Sequence, residues 1–185
     1  MSQSFDPNHA VRFEIGRGRV SMDGTEPRVL VPADALRALC QSAGTEGAKD
    51  FGRTLGSEMG RRVASRLGDN SSVPDMVEHL GGDLALAGLG SLGVEIWGRA
   101  VVFTVTDSPL GSSGDSLLAW VMEGALQRAL ARDAAVVPIE RADGKVRLLV
   151  VNPSRAETVR GWISEGISWG DVLTRLQGGG AKGSG

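Results

Sequence analysis

The stretch Ala48 to Leu67, AKDFGRTLGSEMGRRVASRL, decides how the rest of the chain is read. On a helix of 3.6 residues per turn, Gly52, Leu55, Gly56, Met59, Gly60, Val63 and Leu67 fall on one stripe. Arg53, Ser57, Glu58, Arg61, Arg62 and Arg66 take the other side. Each interior glycine weakens a helix by about 1 kcal/mol relative to alanine, so three of them at i, i+4 and i+8 require very close packing on that face. The neighbour could be another helix, the floor of a sheet or a slender apolar ligand, and the sequence leaves these three open.

Composition narrows the rest. A chain of 185 residues is long enough for one domain that buries about 70% of the surface its unfolded form exposes. A net charge of −2 offers no electrostatic case for nucleic acid. Cys40 is the only cysteine, which excludes an intrachain disulfide and a cysteine-rich zinc site. Met1 to Val11 lacks the apolar core of a secretory leader, and no segment offers about 18 uninterrupted apolar residues for a membrane span. A cytoplasmic protein without a membrane span is expected. With no tyrosine and aromatics at only 4%, stacking platforms for bases or sugars are scarce.

Outward from the glycine helix, the pattern alternates between hairpins and helices. Val11 to Met22 predicts a strand, with a turn at Asp23-Gly24 before a second strand from Arg28 to Val31. Pro32 and Asp34 open a helix through Ala43, with Leu36, Leu39 and Cys40 on its buried side, and Gly44 closes it. Thr45 can cap the glycine helix, which should end at Gly68-Asp69-Asn70. A third helix starts at Val73-Pro74-Asp75, and Gly81-Gly82 should break or bend it. A hairpin follows over Leu92 to Thr106, turning at Gly98-Arg99, then a helix from Ser116 to Ala131. Ala134 to Arg141 and Lys145 to Val151 form another hairpin, with Pro138 marking an edge strand or a bulge. Two helical segments close the chain, Ser154 to Glu165 and Ser168 to Leu176.

Several motifs invite chemistry and resist it. Gly88 to Gly93 has the G-x-G-x-x-G spacing of dinucleotide sites, but those need a strand before and a helix after, and here the order is reversed. Gly111 to Ser116 lacks the spacing of a nucleophile elbow. His9 and His79 are the only imidazoles; a helix histidine with ordinary hydrogen bonds is the better reading of His79. Glu95 reads as an exposed strand residue unless its face turns inward. Arg53, Arg61, Arg62 and Arg66 could form a basic strip, although a solvated helix face with Glu58 intermixed is the simpler account. Met59, Met76, Met122, Trp97, Trp120 and Phe103 could line an adaptable pocket or simply fill the core.

The order hairpin, helix, glycine helix, hairpin, helix, hairpin resembles the 4-vinyl reductase or hydrocarbon-binding domain family, whose fold is shared with small subunits of the TRAPP tethering complex. The pieces that carry the resemblance are GRVSMDGTEPRVLVPADALRAL at Gly18 to Leu39, FGRTLGSEMGRRV at Phe51 to Val63, LGVEIWGRAVVFTVTDSPLG at Leu92 to Gly111, and MEGAL at Met122 to Leu126. It spans Gly18 to Val151. Many members carry cysteines around the final hairpin that can hold a metal, and Ala142 to Val150 has none, so no metal is expected. The two helices beyond Asn152, with Trp162, Ile163 and Trp169, are an addition to the usual module.

These readings predict an α/β domain of α+β type, an antiparallel sheet packed against helices: a flexible arm over 1–10, the domain over 11–151, a C-terminal helical extension over 152–177 and a tail over 178–185. The resemblance implies a non-enzymatic regulatory or sensor module, a homodimer that binds a small hydrophobic ligand. Gly52, Leu55, Gly56, Met59, Gly60, Val63, Phe103 and Trp120 are the expected ligand-binding residues. The alternative is a ligand-free adaptor engaging a protein partner through Trp162, Ile163 and Trp169. No nicotinamide, flavin or metal motif supports a cofactor or a reductase activity.

Overall fold

The computed structural model describes residues 10–22, 26–67, 73–131 and 133–178. Among these residues, two antiparallel sheets and five α-helices make an α+β architecture. The first sheet is small: β1 (Val11–Glu14), β2 (Arg19–Met22) and β3 (Glu26–Arg28), in that order. The single strand expected over Val11 to Met22 is instead a hairpin. A 3-10 turn at Ile15–Arg17 and the left-handed Gly18 (φ 61°) reverse the chain, so that Val11 faces Met22 and Glu14 faces Arg19. Val29 to Val31 lies outside the strand predicted for it, and the turn expected at Asp23-Gly24 falls outside the described residues.

Helix α1 (Ala33–Arg66) is two helices joined at Gly44, whose φ of 70° and ψ of 179° interrupt the helical backbone where the sequence places the break. The expected end at Gly68 to Asn70 lies outside the described residues, and the helix stops at Arg66. Leu39, assigned to a buried face, is 58% exposed, whereas Leu36 and Cys40 pack against the core. Helix α2 (Val73–Leu86) continues unbroken through Gly81-Gly82, where a break or bend was expected. A Cβ at Gly81 would touch the Leu92 side chain at 3.5 Å, so the glycine admits the adjacent strand without ending the helix.

The second sheet has the order β4-β5-β7-β6, from β4 (Ser91–Trp97), β5 (Ala100–Thr106), β6 (Ala135–Ala142) and β7 (Lys145–Val151). Helix α3 (Asp115–Leu130) connects its halves. Strand β6 is an edge, and its register shifts between Pro138 and Glu140, so Pro138 marks both an edge and a bulge. Central β5 is buried on both faces: Phe103 and Val105 face α1, α2 and α3, while Val102 faces α4 (Pro153–Ser164) and α5 (Trp169–Gly178). Helices on both sides explain why β5, AVVFTVT, is mostly apolar on both faces rather than alternating.

Helix α3 is apolar nearly all round because it is enclosed between α1 and the sheet; Leu118, Val121, Met122 and Ala125 are fully buried. Here the neighbour of the glycine stripe is resolved. A Cβ at Gly56 would lie 2.7 Å from the Val121 carbonyl carbon and closer still to its oxygen; at Gly60 it would meet the Ala125 carbonyl, and at Gly52 the Trp120 Cβ at 2.9 Å. From the other side, Gly124 of α3 approaches the Arg53 backbone equally closely. Backbone rests on backbone, and the stripe is a helix-crossing surface.

Candidate functional site

A large cavity, with a volume of about 730 Å³, lies between the small sheet and the body of the molecule. Its floor is the second half of α1, through Phe51, Leu55 and Met59. One wall is Val20 and Met22 of β2 with the extended Val29-Leu30-Val31 segment, and the other is the turn Leu86 to Leu89 with Leu110. The geometry follows from local sequence. Arg28 ends the β3 ladder, Pro32 starts α1, and the three residues between them belong to the cavity lining. Gly88, at φ 69°, ends α2 and turns the chain back beneath them.

Three charged side chains reach this otherwise aliphatic lining: Arg28, Glu58 and Arg62. Arg62 is buried, at 4% exposed, which corrects its placement on a solvated helix face. Its Nε donates to Asp83 Oδ2 at 3.1 Å and its Nη1 to Glu26 Oε2 at 3.4 Å. Asp83, fully buried, also accepts from Arg66 at 3.1 Å. Glu26 accepts from Arg28, Arg61 and Arg62, tying β3 to α1. Burial pushes the Glu26 carboxyl up, but hydrogen bonds from Arg61 and Arg28 outweigh it and hold the group below the ordinary carboxylate range. Arg53, Arg61, Arg62 and Arg66 thus form ion pairs and not a basic strip, with Arg53 bound to the buried Glu123 at 2.8 Å. Glu123 also accepts from the Val136 backbone N–H at 3.0 Å, locking α1, α3 and β6 together.

A second, open cavity of about 240 Å³ sits at the Gly44 kink, bounded by Arg37, Cys40, Ser113 and Trp120. Burial pushes the Cys40 thiol up, making it a poor nucleophile.

Of the residues expected to bind a ligand, Leu55 and Met59 line the large cavity and Trp120 the small one. Gly52, Gly56 and Gly60 face α3, and Val63 and Phe103 are enclosed in the core. Met76 and Met122 are core residues too. Trp162, Ile163 and Trp169 lie against the protein's own sheet, packing on the cluster that contains Val102, Val137 and Leu149. Trp97 meets Trp169 edge to face at 5.1 Å, and Gln177 donates to the Trp97 carbonyl at 2.9 Å. Glu95 is held by Trp97 Nε1 at 3.1 Å and Arg147 at 3.2 Å on the same side. His79 is 4% exposed. The Gly88 to Gly93 motif is a helix-to-strand turn, as its order implied. Among the described residues, no three His, Cys, Asp or Glu side chains come together as a metal site requires, and no helix is long and apolar enough to cross a membrane.

Sequence reasoning missed Asp83, Glu26 and Glu123. An acidic residue inside an apolar helical run is the available signal for Asp83 and Glu123; Glu26 carries none, because its partners on α1, Arg61 and Arg62, are 35 and 36 residues away.

No protein-family model matches the chain, and no curated protein matches it. Among solved structures it is similar to the phenol-responsive sensory domain of the transcription activator PoxR with phenol, at a TM-score of 0.59 and 17% identity. The alignment covers 91% of this chain and 90% of that one. At this identity the shared property is the fold.

Proposed function

We propose that this chain is a non-enzymatic sensor module of the 4-vinyl reductase or hydrocarbon-binding kind, which takes a small, largely apolar ligand into the cavity between β2–β3 and α1. The observation that carries the reading is the cavity itself. Its 730 Å³ lies within the range of small-molecule sites, about 300–1,000 Å³, and aliphatic side chains dominate its walls with a few charged groups at one end. The fold shared with a sensory domain supports the regulatory half of the reading. A cytoplasmic homodimer fits it too: Phe13, Ile15, Val29, Leu30 and Val31 are all more than half exposed around the small sheet, a concentration of apolar surface suited to a second copy. The adaptor alternative has less to rest on, because its three anchors lie against the protein's own sheet.

Native mass spectrometry on protein purified without detergent tests this. A discrete extra mass, lost on denaturation and absent from Leu55→Trp, is expected, since the larger ring would fill the cavity floor. An extra mass retained undiminished by Leu55→Trp would overturn the site, and the same spectra report whether the chain is a dimer.

A further inference from the structure

The ligand class can be narrowed from the polar end of the cavity, an inference that rests on the reading just given. Arg62 is the decisive residue. It is 96% buried yet lines the cavity, and its hydrogen bonds leave one face of the guanidinium uncommitted: Nε serves Asp83, Nη1 serves Glu26, and Nη2 has no acceptor among the described residues. A guanidinium offers five N–H donors in a planar fork that matches a carboxylate. A guanidinium donates and never accepts, so whatever fills the cavity beside Arg62 must supply an acceptor or leave a donor unsatisfied. Arg28 brings a second guanidinium to the same lining, and Glu58, the one acid there, is engaged by Arg61 at 3.1 Å.

Glu26, outside the lining, shows what these two guanidiniums accept. Its carboxylate bridges Arg28 and Arg62 from the sheet side, through Oε2, and its own carboxyl is stabilised in the ionised form. We propose that the cavity binds an apolar carboxylic acid, its carboxylate taken by Arg62 and Arg28 and its tail laid over Leu55 and Met59 toward Leu30 and Leu110. The ligand's carboxylate shares donors with Glu26, so an occupied cavity weakens the bond between β3 and α1. Ligand binding is thereby coupled to the small sheet, the element with the sparsest contacts to the rest of the protein.

The test compares decanoate with decan-1-ol, equal in length and different in charge, by isothermal titration at neutral pH on the full chain. Charge-assisted bonds from two guanidiniums should favour decanoate by about ten-fold or more. Arg28→Gln should reduce that ratio several-fold, and Glu26→Gln, which removes the competing charge but keeps a hydrogen-bonding side chain, should raise decanoate affinity. Circular dichroism establishes that both variants are folded. Equal affinity for acid and alcohol, or a ratio unmoved by Arg28→Gln, overturns the headgroup assignment and leaves the cavity reading standing. Failure of both compounds to bind overturns the two together.

Discussion

Gly56→Ala is the most exacting check on how this molecule is held together, because secondary-structure propensity and tertiary packing predict opposite signs. In an isolated helix the change stabilises by about 1 kcal/mol. In the folded protein the new methyl would sit 2.7 Å from the Val121 carbonyl carbon and 2.9 Å from the Ala125 nitrogen, where ordinary contact begins at 3.4 Å. Those are backbone atoms of α3, so no rotamer change relieves the clash, and α1 and α3 must separate. Overpacking costs about 1–3 kcal/mol even where side chains can yield. Separating the helices also loosens their contacts along Gly52, Gly60 and Gly124, so a net destabilisation of about 3 kcal/mol is expected after the propensity gain. With a urea m-value of about 2 kcal/mol/M for a domain of this size, the midpoint should fall by about 1.5 M. Gly161→Ala is the matched control: it lies in α4 with nothing within 4 Å of its Cβ position, and should raise the midpoint by about 0.3–0.5 M. If Gly56→Ala unfolds at the same urea concentration as the wild type or a higher one, the α1–α3 backbone contact is not the packing that holds this face.

Two further outcomes follow from the same structure. Because Glu26 is held below its ordinary value when folded, its contribution is complete above the usual carboxylate range and is lost as pH falls through the folded value. Protection factors for amide exchange at Glu26 and Arg28 should therefore drop several-fold on acidification, and in Glu26→Gln that pH dependence should vanish; persistence of it would assign the effect to another group. Ending the chain at Asn152 uncovers Val102, Val137 and Leu149, each losing about 1.5–3 kcal/mol of burial against a total stability of about 5–15 kcal/mol. The truncated protein should be insoluble or bind a hydrophobic dye strongly, whereas a monodisperse product with an unchanged urea midpoint would show that α4 and α5 are dispensable.

Much of the fold was legible in the sequence, because it depends on local patterns. The break at Gly44, the hairpins on either side of α3, the edge and bulge at Pro138 and the helices after Asn152 each follow from a glycine, a proline or an apolar period within a few residues. Errors arose where tertiary contact overrode a local rule. Gly81-Gly82 continues a helix because β4 packs beside it, and Val11 to Met22 folds back on itself because Gly18 supplies a left-handed turn inside an alternating run.

The site divides along the same line. Periodicity identified Leu55 and Met59 as inward-facing, and it correctly required a close neighbour for Gly52, Gly56 and Gly60, but a helical period reports that a face is covered without reporting by what. The ion pairs that shape the cavity join residues 17 to 36 positions apart: Arg66 to Asp83, Arg62 to Asp83 and Glu26 to Arg62. A buried guanidinium and an exposed one are written with the same letter; only the arrangement of α1, α2 and β3 around Arg62 removes its water and sets it in the lining of a cavity. By itself the sequence determined the elements, their order and the tightness of one helix crossing. Which surfaces meet, and so which side chains are dry, charged and within reach of a ligand, was decided by the tertiary structure, because desolvation depends on every element that closes around a group.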